Sequence, residues 1–283
     1  WQVALGDGSQ SGIDATIALD TSGNLLVPTP YGFFKLKPGD GSIIWSLPTL
    51  LSDGSSPTIS SGGVAYTYGT GAGMPGAAFF AINADGTLAW SKSLTAPSRG
   101  VPSLASDGTI YFSTQDGKLW ALNSDGTTKW TYNLGQSATV STMVGLDGTV
   151  YVAATLRLYA INPNGTLKWQ YDAAGSYIGN GLAEGVDGTI YFGTYGPPHA
   201  LYAVKTDGTL KWQYALASGV DGGVSIDGNG VVYVPANQSV YAIGSGGSSG
   251  SKVWQYDRSG SFSFYGTPVI SADSRLLIIS SAD

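Results

Sequence analysis

A tryptophan that returns about every 40 residues, Asp-Gly pairs with the same period, and short β-branched and aromatic segments between them predict an all-β fold. The architecture they favour is a seven-bladed β-propeller of four-stranded antiparallel blades. Because repeats that share neighbours form one body, we expect residues 1–283 to be a single domain. The tryptophans of the series are Trp1, Trp45, Trp90, Trp130, Trp169, Trp212 and Trp254.

The repeat at 101–134 shows how one blade is built. Asp-Gly pairs favour tight turns, and the segments between them are rich in Thr, Ile, Tyr, Phe and Trp, which are typical of strands. Four strands joined by hairpins are therefore expected, named A to D from the centre of the propeller outward. Their predicted ranges are 101–106, 109–114, 118–123 and 127–132.

The same unit predicts six full blades and a shorter seventh. The seventh begins near residue 266, stops at Asp283 where its third strand is due, and is expected to be closed by the N-terminal strand at Trp1. We expect either a monomer or an assembly in which another chain completes this blade. The predicted blades are 12–49, 50–95, 96–134, 135–173, 174–216, 217–258, and 259–283 together with 1–8.

Charge and composition exclude several classes of partner. The chain has 13 Lys and Arg residues against 19 Asp and Glu, a formal net charge of −6, and its basic residues are scattered. Nucleic acids and anionic membranes require clustered positive charge, so we expect neither as a partner. No apolar run approaches the roughly 18 residues of a membrane-spanning helix.

The low content of charged residues, 11%, is typical of exported surface proteins. Because the chain opens on Trp1 rather than Met, we expect a processed protein that is extracellular, periplasmic or attached to the cell surface. Cysteine is absent, which excludes disulfides, thiolate metal sites and a cysteine nucleophile.

The string Ala121-Leu-Asn-Ser-Asp-Gly-Thr-Thr-Lys-Trp130 recurs with small changes, ending at Trp90, Trp169 and Trp212. It resembles the tryptophan-docking repeat of the pyrroloquinoline-quinone (PQQ)-like β-propeller superfamily, and the resemblance covers nearly the whole chain. It implies that each tryptophan docks flat between adjacent blades, with the alanine packed beside it. The tryptophans are therefore expected to be structural.

That superfamily contains two kinds of protein. Quinone-dependent alcohol and sugar dehydrogenases usually have eight blades, and the alcohol-dehydrogenase type adds a vicinal cysteine pair and a calcium site of Glu, Asn and Asp. Other members, including outer-membrane assembly lipoproteins and secreted proteins, keep the repeat without the cofactor. This chain lacks cysteine, is too short for eight full blades, and has a docking motif one residue shorter than the enzymes. The resemblance therefore implies the non-enzymatic branch.

Catalytic and metal-binding patterns are weak in this sequence. The single histidine, His199, lies in a turn between strands, so neither a histidine-based triad nor a two-histidine zinc site is expected. The Asp-Gly turns, most of all the oxygen-rich turn at Asp227, keep calcium open as an alternative ligand, although such turns need no ion. No bound PQQ is expected.

One loop face of a propeller collects the D–A and B–C connections, and ligands usually bind there. Aligning the D–A loops places two carboxylates, a guanidinium, an amide and a phenol at the predicted mouth of the central channel. Such a group suits a sugar or a cation. The candidate ligand-binding residues are Asp14, Arg99, Asn180, Asp221 and Tyr265.

Two B–C connections on this face are predicted to be long loops, 69–78 in the second blade and 195–199 in the fifth. Met74 and His199 are their candidate recognition residues, since long loops on a rigid scaffold often carry function. The leading hypothesis is a non-catalytic exported propeller that binds a protein or glycan partner through this face. Alternatives are a PQQ- and calcium-dependent dehydrogenase-like protein and a polysaccharide-binding or polysaccharide-cleaving propeller that uses Asp14, Asp221 and Tyr265.

Overall fold

The structure is a computed structural model. It describes residues 2, 3, 5, 16–51, 56–71, 73–98, 100–138, 140–179, 181–259, 263–264, 266–271, 277–279 and 281–282. Over these ranges every regular element is a β-strand, which confirms the predicted all-β class. No helix among them has the length and apolar character needed to span a membrane.

The first two sheets follow the repeat, with extra pairing in the second. The strands of the first sheet are β1 (Ala18–Leu19), β2 (Leu25–Thr29), β3 (Gly32–Leu36) and β4 (Ile43–Leu47). The strands of the second sheet are β5 (Leu50–Leu51), β6 (Thr58–Ile59), β7 (Ala65–Gly71), β8 (Met74–Ile82) and β9 (Leu88–Ser93).

The next four sheets each have four antiparallel strands in sequence order. The third contains β10 (Ser103–Leu104), β11 (Ile110–Thr114), β12 (Lys118–Leu122) and β13 (Thr128–Asn133). The fourth contains β14 (Thr142–Val144), β15 (Val150–Ala154), β16 (Arg157–Ile161) and β17 (Leu167–Asp172). The fifth contains β18 (Ala183–Glu184), β19 (Ile190–Gly193), β20 (Ala200–Val204) and β21 (Leu210–Ala215). The sixth contains β22 (Ser225–Ile226), β23 (Val231–Ala236), β24 (Ser239–Gly244) and β25 (Ser251–Asp257).

The last repeat contributes four short strands in two pairs. These strands are β26 (Ser263–Phe264), β27 (Val269–Ile270), β28 (Leu277–Ile278) and β29 (Ser281–Ala282). β27 pairs with β28, and β26 pairs with β29. In the second sheet, two short strands share one partner: β5 and β6 pair with opposite ends of β7.

The chain comprises two compact units, Trp1–Val144 and Gly145–Asp283. That all the repeats belong to one domain stays a prediction. The closing strand predicted at Trp1 falls largely outside the described residues, and residues 2, 3 and 5 carry no strand.

The predicted loop at 69–78 is wrong. β7 continues to Gly71 and β8 begins at Met74, so the two strands form an extended hairpin with a register shift between Gly69 and Gly71. Gly71 (φ +89°) and Gly73 (φ +83°) make the tight turn. Glycine content signals a loop in sequence, but glycine backbone still pairs, and here its freedom at positive φ closes the hairpin. Met74 therefore lies in a strand.

Burial falls from the inner strands of each sheet to the outer edge. β11 and β15 are buried along their whole length, whereas β13 and β17 alternate between exposed and half-buried residues. The fourth strand of each repeat therefore forms the outer edge, as its alternating polar sequence indicates.

Each described tryptophan of the series packs against an aromatic ring of the second strand in its own sheet, or of the third strand in the first sheet. The ring centroids lie 5.6 to 6.0 Å apart in tilted arrangements. In five of these sheets the residue opposite the tryptophan is alanine, whose small side chain leaves room for the indole. The pairs are Phe33–Trp45, Tyr66–Trp90, Tyr111–Trp130, Tyr151–Trp169, Tyr191–Trp212 and Tyr233–Trp254.

The same indole also contacts the C–D turn of the following repeat. Trp90 donates from Nε1 to the carbonyl of Ser124 at 2.8 Å, and a Cβ on Gly126 would lie 2.7 Å from its ring. Trp45 and Trp169 make equivalent contacts, donating to the carbonyls of Ala84 and Thr206. Glycine is thus required in the Asp-Gly-Thr turn because φ is positive there and because the stacked indole leaves no room for a side chain.

The aspartates of the A–B turns connect the inner and outer strands of a sheet. Asp107 accepts the backbone N–H of Thr109 at 2.9 Å and pairs with Lys129, beside the docking tryptophan, at 3.1 Å. These hydrogen bonds, the backbone bond of Thr109 first, lower the pKa of Asp107 to about 2. Equivalent pairs join Asp147 to Lys168 and Asp187 to Lys211, both at 2.8 Å.

The contact between the tryptophan and the glycine predicts a difference between two glycines of one repeat. Gly108 (φ +81°) has no neighbour nearer than 4.0 Å to an added Cβ, whereas Gly126 (φ +84°) faces Trp90. We expect Gly108→Ala to lower the free energy of unfolding by about 1 kcal/mol through backbone strain. Gly126→Ala should cost about 1–3 kcal/mol more through overpacking. Urea unfolding of both variants measures this difference, and equal losses would contradict the docking contact.

The Asp107 pair predicts an acid-dependent contribution to stability. Because the folded-state pKa is depressed, the stabilisation is present above the unfolded value of about 4 and is lost as the pH falls through about 2. Wild type should therefore exceed Asp107→Asn in free energy of unfolding at neutral pH, with the advantage shrinking below pH about 4. Urea unfolding across this pH range checks it. A difference that stays constant down to pH about 2 would exclude the ionic contribution.

Candidate functional site

Of the residues predicted at the mouth of the channel, Asp221 alone is described by the structure. Asp14, Arg99, Asn180 and Tyr265 lie outside the described residues, so their convergence stays a prediction. The described part of this loop face is therefore best defined in the fifth and sixth repeats. It comprises the B–C loop 195–199, residues 173–179 and 181–182 of the preceding D–A connection, and the segment 219–223.

Asp221 lies in a segment that is held tightly against the fifth sheet. The backbone N–H of Val220 donates to the carbonyl of Thr194 at 3.0 Å, and the Val220 side chain is buried against Gly193. A Cβ on Gly219 would lie 2.2 Å from the carbonyl oxygen of Tyr195, so only glycine fits there. Asp221 itself is half-buried, and this burial raises the pKa of its carboxyl group. The segment therefore presents one partly desolvated carboxyl group beside the B–C loop.

The hydroxyl of Thr194 organises the base of the B–C loop. This residue is fully buried, donates to the carbonyl of Pro198 at 2.8 Å and accepts the N–H of Ala200 at 3.0 Å. Ser176 donates to the carbonyl of Gly196 from the neighbouring connection. The loop contains a cis peptide bond between Pro197 and Pro198. The hydrogen bonds of Thr194 and Ser176 hold this short loop in a defined conformation.

His199 lies at the base of this loop rather than at its tip. Its carbonyl accepts the N–H of Leu216 at 2.9 Å, and its side chain is half-buried. Its Nδ1 is buried without a hydrogen-bond partner within the described ranges. Its role as a recognition residue stays a prediction.

Two exposed tyrosines stand beside each other on the loop face. Ile178 and Thr194 form an antiparallel bridge with buried side chains, and the N–H of Tyr195 donates to the carbonyl of Tyr177 at 2.8 Å. The side chains of Tyr177 and Tyr195 are 57% and 54% exposed, respectively. Cross-strand neighbours of this kind have Cβ atoms about 5 Å apart. We call Tyr177 and Tyr195 the tyrosine pair.

Sequence reasoning identified the loop that carries Tyr195 but missed Tyr177. Tyr177 lies in a D–A connection rather than in a long loop, and the bridge between Ile178 and Thr194 places the two residues opposite each other. A search of the sequence for aromatic residues outside the repeat consensus would have included both tyrosines.

The residues do not fit the quinone-dependent enzymes that the superfamily contains. The chain has no cysteine for the vicinal pair that the alcohol-dehydrogenase type places over the quinone. Among the described residues, no three His, Asp or Glu side chains come together in a way that would hold a metal ion. No catalytic step through a quinone is therefore derived from this site.

Comparison with known proteins relates the chain to one family. The family model described as outer membrane protein assembly factor BamB matches residues 34–177 and 157–282. The crystal structure of BamB from Moraxella catarrhalis is similar, with a TM-score of 0.75 and 17% identity over 97% of this chain and 82% of that one. The predicted β-propeller and its PQQ-like repeat are thereby confirmed.

Two lyase structures share the fold. A streptogramin B lyase has a TM-score of 0.67 and 15% identity, over 91% of this chain and 87% of its own. A catalytically inactive variant of virginiamycin B lyase from Staphylococcus aureus, solved with quinupristin, has a TM-score of 0.69 and 14% identity. The match covers 94% of this chain and 90% of that one. No curated protein matches the sequence. These identities show a common fold, and one fold carries both assembly factors and enzymes.

The buried hydroxyl of Thr194 predicts a specific cost for its removal. Thr194→Val keeps the shape but leaves the N–H of Ala200 and the carbonyl of Pro198 without this partner. We expect a loss of about 1–3 kcal/mol in the free energy of unfolding, measured by urea denaturation. Thr194→Ser, which keeps the hydroxyl, is the matched control and should lose less. Equal losses in both variants would show that the methyl group, not the hydroxyl, stabilises the loop.

Proposed function

This chain belongs to the family of the outer membrane protein assembly factor BamB, and from this membership and its loop face we propose that it is a non-catalytic binding and assembly module. The tyrosine pair is the observation that carries the proposal. Tyr177 and Tyr195 are exposed cross-strand neighbours on a hydrogen-bonded backbone, and tyrosine is enriched at protein interfaces.

The rigidity of the site supports recognition rather than turnover. The B–C loop is held by Thr194, and the segment 219–223 packs against it through backbone atoms, so little conformational entropy is lost on binding. A protein partner is proposed as the ligand of this face. The module is also proposed to be exported and to act without a bound quinone or metal ion.

A glycan is the second candidate ligand. The flat faces of Tyr177 and Tyr195 suit stacking on a sugar ring, and the partly buried carboxyl of Asp221 lies in a segment that packs against the same loop. Unlike a protein partner, a glycan would not need an extended interface. The two candidates are separated by titration of the purified chain with a panel of glycans.

Photo-crosslinking tests the protein partner. A photoreactive phenylalanine analogue is placed at position 177, 195 or 256 in the source organism. Tyr256 is 56% exposed on the outer strand β25 and is the matched control. We expect one discrete adduct at positions 177 and 195 and none at 256, because only the loop face contacts the partner. The Tyr177→Ala/Tyr195→Ala double variant should abolish co-purification of the protein found in that adduct.

Equal adducts at all three positions, or none at 177 and 195, would exclude the tyrosine pair as the interface. Saturable binding of a glycan that Tyr177→Ala/Tyr195→Ala loses would replace the protein partner with the glycan. Saturable catalytic turnover by the purified chain would contradict the non-catalytic assignment.

A further inference from the structure

Trp120, the tryptophan outside the docking series, lies between the second and third repeats next to two lysines. Its ring stacks on Phe112 with a centroid distance of 6.0 Å, and its Nε1 donates to the hydroxyl of Thr114 at 3.2 Å. The ammonium groups of Lys92 and Lys118 lie 5.8 and 5.1 Å from the centroid of the same ring. Two like charges therefore meet at one indole whose position is fixed.

The indole of Trp120 is more exposed than most of its counterparts. Trp120 precedes the alanine that faces the docking tryptophan of its sheet. In the second, fourth, fifth and sixth repeats the aromatic residue at this register is 0 to 4% exposed, whereas Trp120 is half-buried. These counterparts are Phe80, Tyr159, Tyr202 and Tyr241. Part of the indole surface is therefore available to a ligand.

Lys92 stands where later repeats have an aromatic residue. It follows Trp90 by two positions on β9, and the third to sixth repeats have tyrosine at that position. Tyr171 of the fourth repeat packs edge-to-face on Tyr202 of the fifth, with ring centroids 6.1 Å apart. Between the second and third repeats, an ammonium group and an indole replace these two phenol rings. Both members of the contact have changed together, and such exceptions are expected at functional sites. The four tyrosines are Tyr132, Tyr171, Tyr214 and Tyr256.

Lys118 lacks the carboxylate that a basic residue at its position has in the fourth repeat. It opens β12 and lies opposite Asn133 of β13. The equivalent pair in the fourth repeat is Arg157 and Asp172, which form a salt bridge. Asn133 carries no charge, so Lys118 is left with Asp116 of the B–C turn, at the longer distance of 3.7 Å.

The charges around Trp120 therefore do not balance. Lys92 forms no salt bridge within the described ranges, whereas four other strand lysines each pair with the aspartate of an A–B turn. Asp116 offsets one of the two ammonium charges, so one positive charge remains, on a chain whose formal net charge is −6. The single negative charge of a carboxylate would balance it, whereas a phosphate dianion would exceed it and be repelled by Asp116. The four pairs are Lys35–Asp20, Lys129–Asp107, Lys168–Asp147 and Lys211–Asp187.

Hydrogen bonds between the two repeats hold the surroundings of the lysines in place. Asp116 accepts the hydroxyls of Thr95 and Thr114, and the Thr114 hydroxyl also accepts the indole N–H of Trp120. Thr95 belongs to the D–A connection of the second repeat and Asp116 to the B–C turn of the third, so these bonds join the two repeats. A ligand therefore meets a site that is largely preformed, which lowers the entropy cost of binding.

We propose that Lys92 and Lys118 bind a carboxylate group, with the methylene stem that carries this group against the exposed part of the Trp120 indole. Two sources carry this chemistry, the Asp or Glu side chain of an extended peptide and a free small carboxylate. The site lies in the unit Trp1–Val144 and the tyrosine pair lies in the unit Gly145–Asp283, so the chain has two separate binding surfaces.

Calorimetric titration of the intact chain at low ionic strength, where screening of charges is weak, tests the proposal. The probes are the blocked tripeptides Gly-Glu-Gly and Gly-Asp-Gly, propionate, and blocked Gly-Gln-Gly as the uncharged control. At least one carboxylate probe is expected to bind, and Gly-Gln-Gly is not. Binding of the peptides alone assigns the site to an acidic side chain, and equal binding of propionate assigns it to a free carboxylate. Absence of binding by every carboxylate probe, or equal binding of Gly-Gln-Gly, overturns the proposal.

Two variants of one residue separate binding from folding. Lys92→Gln removes the charge and should weaken binding roughly tenfold or more. Lys92→Tyr restores the tyrosine of the third to sixth repeats, and it should abolish binding while the protein stays at least as stable in urea, because an aromatic contact replaces the ammonium group. Lys129→Gln removes an equal charge from the salt bridge with Asp107 and is the control, which should leave affinity unchanged. Unchanged affinity in both Lys92 variants would refute the site.

Discussion

The fold depends on docking tryptophans that stack on the glycine of the next repeat's C–D turn. Trp45 on Gly86, Trp90 on Gly126 and Trp169 on Gly208 leave less than 3 Å for an added Cβ. The indole simultaneously packs on an aromatic ring of its own sheet, so one side chain joins two repeats. These three indoles hold neighbouring sheets together by an apolar contact and one hydrogen bond each. Within the two units, this contact joins the first sheet to the second, the second to the third, and the fourth to the fifth.

The Asp-Gly-Thr motif of the C–D turn makes several hydrogen bonds and also positions the glycine beneath the indole. In the third repeat, Asp125 accepts the N–H and the hydroxyl of Thr127, and Asn123 donates to that hydroxyl. These bonds hold Gly126 at a positive φ, which is the conformation that the indole of Trp90 needs beside it. The low charge content is compatible with this design, because turn hydrogen bonds and indole packing provide the stabilisation that surface ion pairs rarely supply.

Function is expected where this regularity is absent. The tyrosine pair lies in connections that carry no repeat motif. A repeat scaffold tolerates such changes because each repeat is supported by its neighbours. The similarity of the fold to an assembly factor and to lyases fits this division, since the repeats determine the architecture while the connections determine the activity.

The sequence alone determined the fold class, the period and the positions of most hairpins, because Trp, Ala, Asp-Gly and Thr recur with a spacing that reflects local turn and strand preferences. It failed at 69–78, where glycines that signal a loop instead close an extended hairpin. The tertiary structure alone decided which residues from different repeats meet. Tyr177 lies opposite Tyr195 because Ile178 and Thr194 form an antiparallel bridge. Contacts between residues far apart in the chain depend on how sheets pack, which local sequence preferences do not encode.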